Sequence, residues 1–253
     1  SSSDQNYNVA IGACTMRVAT GAQENTAVGW ASMLDLTSGD GNVGVGYSTL
    51  ANATTGSTNT AVGQASSPAL TTGSCNTTIG DAAGISLTTG SNNLLLGHDA
   101  GRTGSPGGII NTGSNFIVLG DENISNAAIQ VDWTVASDQR DKTDFNNLDL
   151  GLDFVNKLNP VTYKWDKRSK YNKDLSVTPT GEHKEDWLDI GFKAQEVEAL
   201  EIEAGYNKDN KTNLTVKQTE DGKQYGIQYA KFVPVLVKAI QELTKRIKDL
   251  EDK

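Results

Sequence analysis

The first 136 residues of this 253-residue chain contain no lysine. Their only basic residues are Arg17 and Arg102, set against nine acidic ones, and they hold 20 of the 26 glycines. Residues 137–253 carry 20 basic and 22 acidic residues, so net charges of −7 and −2 make up the −9 of the chain. A net-negative chain without a basic stripe excludes a nucleic-acid binder, because phosphate neutralisation supplies most of that affinity. Cysteine is scarce. Cys14 and Cys75 have no CxxC spacing and no His at metal-site spacing, so they read as reduced thiols, and no metal or cofactor site is expected. No run approaches the ~20 apolar residues of a membrane span, and no signal-peptide pattern is present. The chain opens Ser1-Ser2-Ser3 without Met and reads as a piece of a longer protein.

What fills the first half is a repeat, and repeats decide fold before local propensity does. The pattern Asn-x-x-(Ile/Val/Leu)-Gly occurs at Asn8–Gly12, Asn25–Gly29, Asn42–Gly46, Asn59–Gly63, Asn76–Gly80 and Asn93–Gly97, a step of 17 residues each time. A looser copy, Asn115–Gly120, follows a five-residue insertion around Gly104–Gly108. Ile11, Val28, Val45, Val62, Ile79 and Leu96 form one apolar ladder, read as inward. Ala19, Leu36, Ala53, Leu70 and Leu87 form a second, so two inward strands per coil are expected. The Gly after each apolar residue, and the column Gly39, Gly56, Gly73 and Gly90, supply turn conformations closed to other residues. Stacked Asn side chains bond their own backbone and one another. The expected fold is an all-β stack of 17-residue coils, a parallel β-helix, β-roll or triple β-helix, at about 4.8 Å per coil.

The apolar residues of this half are small and its aromatics few, which makes a single-chain solenoid thin. Three chains around one axis would supply the missing core, so a homotrimer is expected. The repeats resemble the head repeats of trimeric bacterial adhesins and the shafts of phage tail fibres. One column varies: Ala13, Trp30, Tyr47, Gln64, Asp81 and His98, each just after a repeat Gly. An outward column holding Trp, Tyr and His is of the kind that binds a host-surface glycan. Tolerated surface variation or packing between chains is the plainer reading.

The seam between the halves is Val135-Ala136-Ser137-Asp138-Gln139-Arg140-Asp141-Lys142, preceded by an alternating, strand-like run over 128–135. It sets a serine hydroxyl and a lysine amine five residues apart, directly after a small residue. Ser137 Oγ is covalently held near the carbonyl of Ala136, and such proximity accounts for a large part of a barrier. A serine nucleophile needs a base, and lysine is one only when desolvated or placed beside a cation. Arg140 is the candidate cation, unless it pairs with Asp138 or Asp141. By spacing alone the stretch reads equally as a solvated linker.

Four motifs occur in order, the seam among them: Ser137-Asp138-x-Arg140-x-Lys142, Asn159-Pro160-Val161-x-Tyr163-x-Trp165, Gly191-Phe192-x-Ala194-Gln195-Glu196-Val197, and Tyr225-Gly226-Ile227-x-Tyr229 before a long helix. Together they resemble the C-terminal intramolecular chaperone of phage tail spikes and fibres, the endosialidase-type autoprocessing peptidases, whose domain also occurs in some membrane-tethered transcription factors. The resemblance covers about residues 131–253. It implies a self-cleaving Ser/Lys dyad with Ser137 as nucleophile and Lys142 as base. It also implies scission between Ala136 and Ser137, support from Asp138 and Arg140, and release of the C-terminal part after trimeric folding. The implied setting is a virion fibre or spike, folded in the host cytoplasm and continuous with fibre N-terminal to this segment. The domains then read as 1–136, a β-repeat fibre segment, and 137–253, an α+β chaperone and autoprotease.

Within the second domain the pattern predicts a short helix ended by Asn159-Pro160, strands over 161–165 and 187–192, and a helix over 193–200. A hairpin over 211–218 and 224–229 turns at Glu220-Asp221-Gly222. The stretch 164–188 reads as a variable loop. The long helix, 230–252, carries Leu236, Ile240, Leu243, Ile247 and Leu250 at 4-3-4-3 spacing, a heptad seam that predicts a coiled coil and is compatible with three strands; the plainer reading is a single amphipathic helix packed on its own domain. A C-terminal trimeriser suits slow, non-local β pairing. The alternative is a non-cleaving trimeric adhesin or stalk in which residues 137–253 are a permanent cap. A glycosidase would need paired carboxylates, and the repeat offers only scattered Asp35, Asp40, Asp81 and Asp99. A processed transcription factor would need a basic DNA-reading module, and none is present.

Overall fold

The computed structural model describes residues 7–209, 212 and 214–253. The chain forms two compact units. One comprises residues 7–125 with Asp166–His183 and Thr219–Gln224. The other comprises Asn126–Trp165, Lys184–Gln218 and Tyr225–Lys253.

The first unit is a parallel β-solenoid. Seven three-residue strands stack in chain order: β1 (Val9–Ile11), β2 (Thr26–Val28), β3 (Val43–Val45), β4 (Thr60–Val62), β5 (Thr77–Ile79), β6 (Leu94–Leu96) and β7 (Ile117–Leu119). From β1 to β6 each residue pairs with the one 17 positions on, as Thr26 with Val43 and Thr60 with Thr77. The Asn ladder holds this register. Asn59 donates from Nδ2 to Asn42 Oδ1 at 3.0 Å and to the Gly73 carbonyl at 2.9 Å. Its own Oδ1 accepts the Asn76 backbone N–H and Nδ2, each at 3.0 Å.

That ladder overturns one expectation. Asn25, Asn42, Asn59 and Asn76 point inward and are buried. Side chains along a strand alternate, so the residue two places on (Ala27, Ala61, Thr78, Leu95) is also buried. The Ile/Val column, three places after each Asn, falls on the outer face: Ile11 is 59% exposed, and Val45 and Ile79 are exposed too. The core comes instead from the second ladder, with Leu36, Ala53, Leu70 and Leu87 buried, and from Met33 and Leu50. These lie in turns or irregular segments rather than in a second strand, so each coil has one strand where two were expected.

Two glycine columns act differently. Gly12, Gly29, Gly46, Gly63, Gly80 and Gly97 take φ between 106° and 138°, a region closed to side chains. Gly39, Gly56 and Gly73 do not. A Cβ on any of them would lie 2.2–2.3 Å from the carbonyl oxygen of the equivalent glycine one coil on. The last coil departs from the expected register. Leu94 pairs with Ile117, so the insertion is one residue longer than the sequence spacing suggested. Phe116 occupies the Asn position, its N–H donating to Asn93 Oδ1 at 3.0 Å.

The second unit is a small α/β region. Helix α1 (Leu152–Lys157) precedes an antiparallel pair, β8 (Val161–Tyr163) with β9 (Asp189–Gly191). Helix α2 (Ala194–Glu203) follows, then the pair β10 (Val216–Gln218) and β11 (Tyr225–Ile227). The start of the predicted hairpin, at Lys211, lies outside the described residues. A 3-10 turn, Tyr229–Lys231, runs into α3 (Phe232–Glu251). Leu150, Phe154, Val197, Val216, Phe232 and Val235 form the core. Glu201 is buried, and its carboxylate accepts the Thr215 N–H and hydroxyl at 2.7 and 2.6 Å, which fixes β10 to α2. Glu242 of α3 accepts the Leu152 N–H at 2.8 Å, capping α1, whose N-cap Gly151 has no side chain to do so. Along α3, Phe232, Val235 and Ala239 are buried, while Leu236, Ile240, Leu243, Ile247 and Leu250 are exposed. The architecture is therefore the expected one: a β-repeat, then an α+β region ending in a long helix. Among the described residues no helix is long and apolar enough to cross a membrane.

Candidate functional site

Residues 126–151 hold no strand, and their single element is a 3-10 turn at Gln139–Asp141. The strand-like run over 128–135 therefore forms no strand and bends at Gln130 and Val131. Its apolar edge is solvent-facing, with Trp133 75% and Val135 80% exposed. Alternation favours a strand only where a partner edge exists to receive its hydrogen bonds.

The 3-10 turn sets the geometry beyond it. Asp138 is its N-cap, and its carboxylate accepts the Arg140 backbone N–H at 2.9 Å. The Arg140 guanidinium folds back onto the same carboxylate, Nε at 3.1 Å from Oδ1 and NH2 at 2.6 Å from Oδ2. This hydrogen bond holds Asp138 below the usual carboxylate range and pushes Arg140 up. Arg140 is thereby committed to Asp138, which settles the alternatives its sequence position left open. One turn brings the chain round so that Lys142 Nζ lies 2.6 Å from Ser137 Oγ.

This arrangement can pass a proton from the serine hydroxyl to the lysine amine, once that amine is neutral. Both side chains stand in solvent. The contact is present, while the burial that favours a neutral lysine is not supplied by the surrounding chain.

The variable column is outward, and it sorts into two kinds. Trp30 and Tyr47 stack, ring centroids 4.9 Å apart and planes 14° apart. Further along, His98 Nδ1 lies 3.0 Å from Asp121 Oδ2, and Nε2 lies 3.7 Å from Asp99 Oδ2 and 4.0 Å from Asp81 Oδ2. The hydrogen bond to Asp121, then the charge of Asp99, raise His98 above its ordinary value. Burial pushes Asp121 up, but the bonds from His98 and Asn123 outweigh it and leave the carboxyl lowered. Sequence reading stopped the column at His98. Asp121 is its next member, and the signal was Gly120, the repeat Gly that precedes it. Among the described residues no group of three His, Cys, Asp or Glu is arranged to hold a metal ion.

Residues 137–206 match the family model described as the chaperone of endosialidase. The match begins at Ser137 and covers α1, β8, β9 and α2. Comparison with curated proteins finds no match, and neither does comparison with solved structures. The chain thus joins a parallel β-solenoid to a region similar to the chaperone of endosialidase.

Proposed function

We propose that this chain is a segment of a viral tail fibre or spike whose C-terminal part trimerises and folds the β-solenoid, then cuts itself free between Ala136 and Ser137. The observation that carries the reading is the 2.6 Å contact of Lys142 Nζ with Ser137 Oγ at the residue where the family match begins. In the step proposed, Ser137 Oγ attacks the Ala136 carbonyl and its proton passes to Lys142 Nζ. The Ala136–Ser137 C–N bond breaks, the freed Ser137 amine takes up the proton, and Ala136 is left as an ester on Ser137 Oγ. Water hydrolyses that ester, giving an Ala136 carboxylate and restoring the Ser137 hydroxyl.

Trimerisation draws support from two exposed apolar features, the Ile/Val column along the solenoid and the heptad seam of α3. Packing of three chains over the exposed 128–135 run would also remove water from the neighbouring dyad. The proposed setting is the virion, with the rest of the fibre N-terminal to this segment. The permanent-cap reading is favoured by a different observation: residues 166–183 and 219–224 fold as part of the solenoid unit.

Intact mass separates the two. Freshly expressed protein is expected to give two fragments that break between Ala136 and Ser137, and Ser137→Ala and Lys142→Ala are expected to stay full length. A single full-length mass from wild-type protein shown to be trimeric would establish the permanent cap instead.

A further inference from the structure

β7 is the last strand of the solenoid sheet, and the coil that carries it has no following coil to bond. In earlier coils a short row of donors points along the axis to the next. The Thr37 and Ser38 N–H groups donate to the Thr54 carbonyl at 3.0 and 3.1 Å, Thr54 N–H to Thr71 at 2.9 Å, Thr71 N–H to Thr88 at 2.8 Å, and Thr88 N–H to Asn111 at 2.8 Å. The threonine hydroxyls of this row donate to the same carbonyls. At residues 111–113 the row reaches the end of the stack.

Beside the end of that row, a carboxylate caps the two columns that follow it. Glu220 Oε1 accepts the Thr112 hydroxyl, and Oε2 accepts the Gly113 N–H at 3.1 Å. The fit is close to the backbone. A Cβ on Gly108 would lie 2.6 Å from Thr219 Cγ2, and one on Gly104 would lie 2.9 Å from Ser169 Cβ. Lys167 Nζ donates to the Glu122 carbonyl at 2.6 Å, and Lys170 Nζ to Asn123 Oδ1. Arg168 ties the two segments together, donating to the carbonyls of Leu175 and Lys223. All these residues belong to the solenoid unit.

We propose that residues 166–183 and 219–224 form an end cap whose Glu220 carboxylate recognises the hydroxyl-and-glycine pair at the C-terminal edge of the β-solenoid. The partner it fits is general to the repeat. Ser38-Gly39, Thr55-Gly56, Thr72-Gly73 and Thr89-Gly90 present the same pair in the same columns as Thr112-Gly113. A carboxylate bridging hydroxyl and N–H therefore suits whichever coil ends the stack, including the end of a stack still being built. This inference rests on reading residues 137–253 as a folding domain but does not need scission, so its test uses the uncleavable chain.

Hydrogen exchange is measured by mass spectrometry on Ser137→Ala protein, alone and with Glu220→Ala, Glu220→Gln or Thr112→Val, following peptides over 109–116 and over 60–70 as an internal reference. Loss of a hydrogen bond to a charged acceptor is expected to speed exchange over 109–116 about tenfold to a hundredfold in Glu220→Ala. Glu220→Gln and Thr112→Val should show smaller increases, and 60–70 none. Unchanged exchange over 109–116 in both Glu220 variants would overturn the proposal. If Glu220→Ala gives no folded chain, Glu220→Gln and Thr112→Val decide by the same criterion. Deleting residues 60–76, one whole coil, is expected to leave 109–116 protected and still sensitive to Glu220. Loss of that sensitivity would overturn recognition of the stack end as such. Intact mass of the wild-type chain tests scission separately, so the two readings fail by different signs.

Discussion

Asn59 shows how much one side chain carries in a solenoid. Removing it leaves the Gly73 carbonyl and the Asn76 backbone N–H without their side-chain partner inside the stack. Each buried polar group left unsatisfied costs about 1–3 kcal/mol, so Asn59→Ala is expected to destabilise the solenoid by roughly 2–5 kcal/mol. A fall in its thermal midpoint of only a degree or two, against a surface control such as Gln64→Ala, would show the ladder to be ornamental. His98 gives a pH signature. Its folded value is raised from 6.5, so its contribution is fully present below that value and is lost as pH rises through the raised one. Asp121 is lowered, so its part is lost only in stronger acid. Between those limits the pair is charged on both sides. The melting difference between wild type and His98→Gln is therefore expected to be largest below the ordinary histidine value and above the carboxylate range, and to fade as pH rises through the raised His98 value. A pH-independent difference would assign the contact to packing alone. Because His98 is more than half exposed, the effect should be small.

At the scale of elements, the repeat was legible and its facing was not. A 17-residue step of Asn and Gly announces a stacked coil, but the parity of each strand depends on whether Asn or the Ile/Val column turns inward. Composition favoured the apolar residue. The buried Asn wins because its amide bonds the coils on both sides, something a valine cannot do. The 128–135 run misled for a related reason: its alternation is real, but it has no partner edge. The 164–188 stretch read as a variable loop because nothing local shows that its residues 166–183 fold with coils some 50 residues earlier in the chain. The Ser137–Lys142 pair was found by its company of motifs, since spacing alone did not distinguish it from a linker. Helix α3 was legible to its ends, and its exposed seam makes a prediction at this scale. Leu243→Asp is expected to convert a trimer to monomers in sedimentation, with helicity and the core of Phe232, Val235 and Ala239 retained. An unchanged sedimentation mass would place the seam outside any interface.

For the whole molecule, the order of parts implies an asymmetry between folding and unfolding. If residues 137–253 template the solenoid and then leave, the matured 1–136 product keeps its unfolding barrier but loses its route back. The uncleavable Ser137→Ala chain is expected to regain protease resistance after denaturation and dilution, whereas matured protein should regain little or none. Equal recovery from both would mean that the solenoid folds without its C-terminal partner.

The hydrogen bonds between coils run along the solenoid axis, from each strand to the one stacked on it. Tension along that axis therefore loads the coils in series, and the rod yields one coil at a time at its weakest end instead of shearing all at once. Each coil that peels away releases 17 residues, roughly 50 Å of slack chain once the coil's own rise is subtracted. A rod built this way is stiff when pushed and extensible when pulled. The end that gives first is the one whose outer row is least covered.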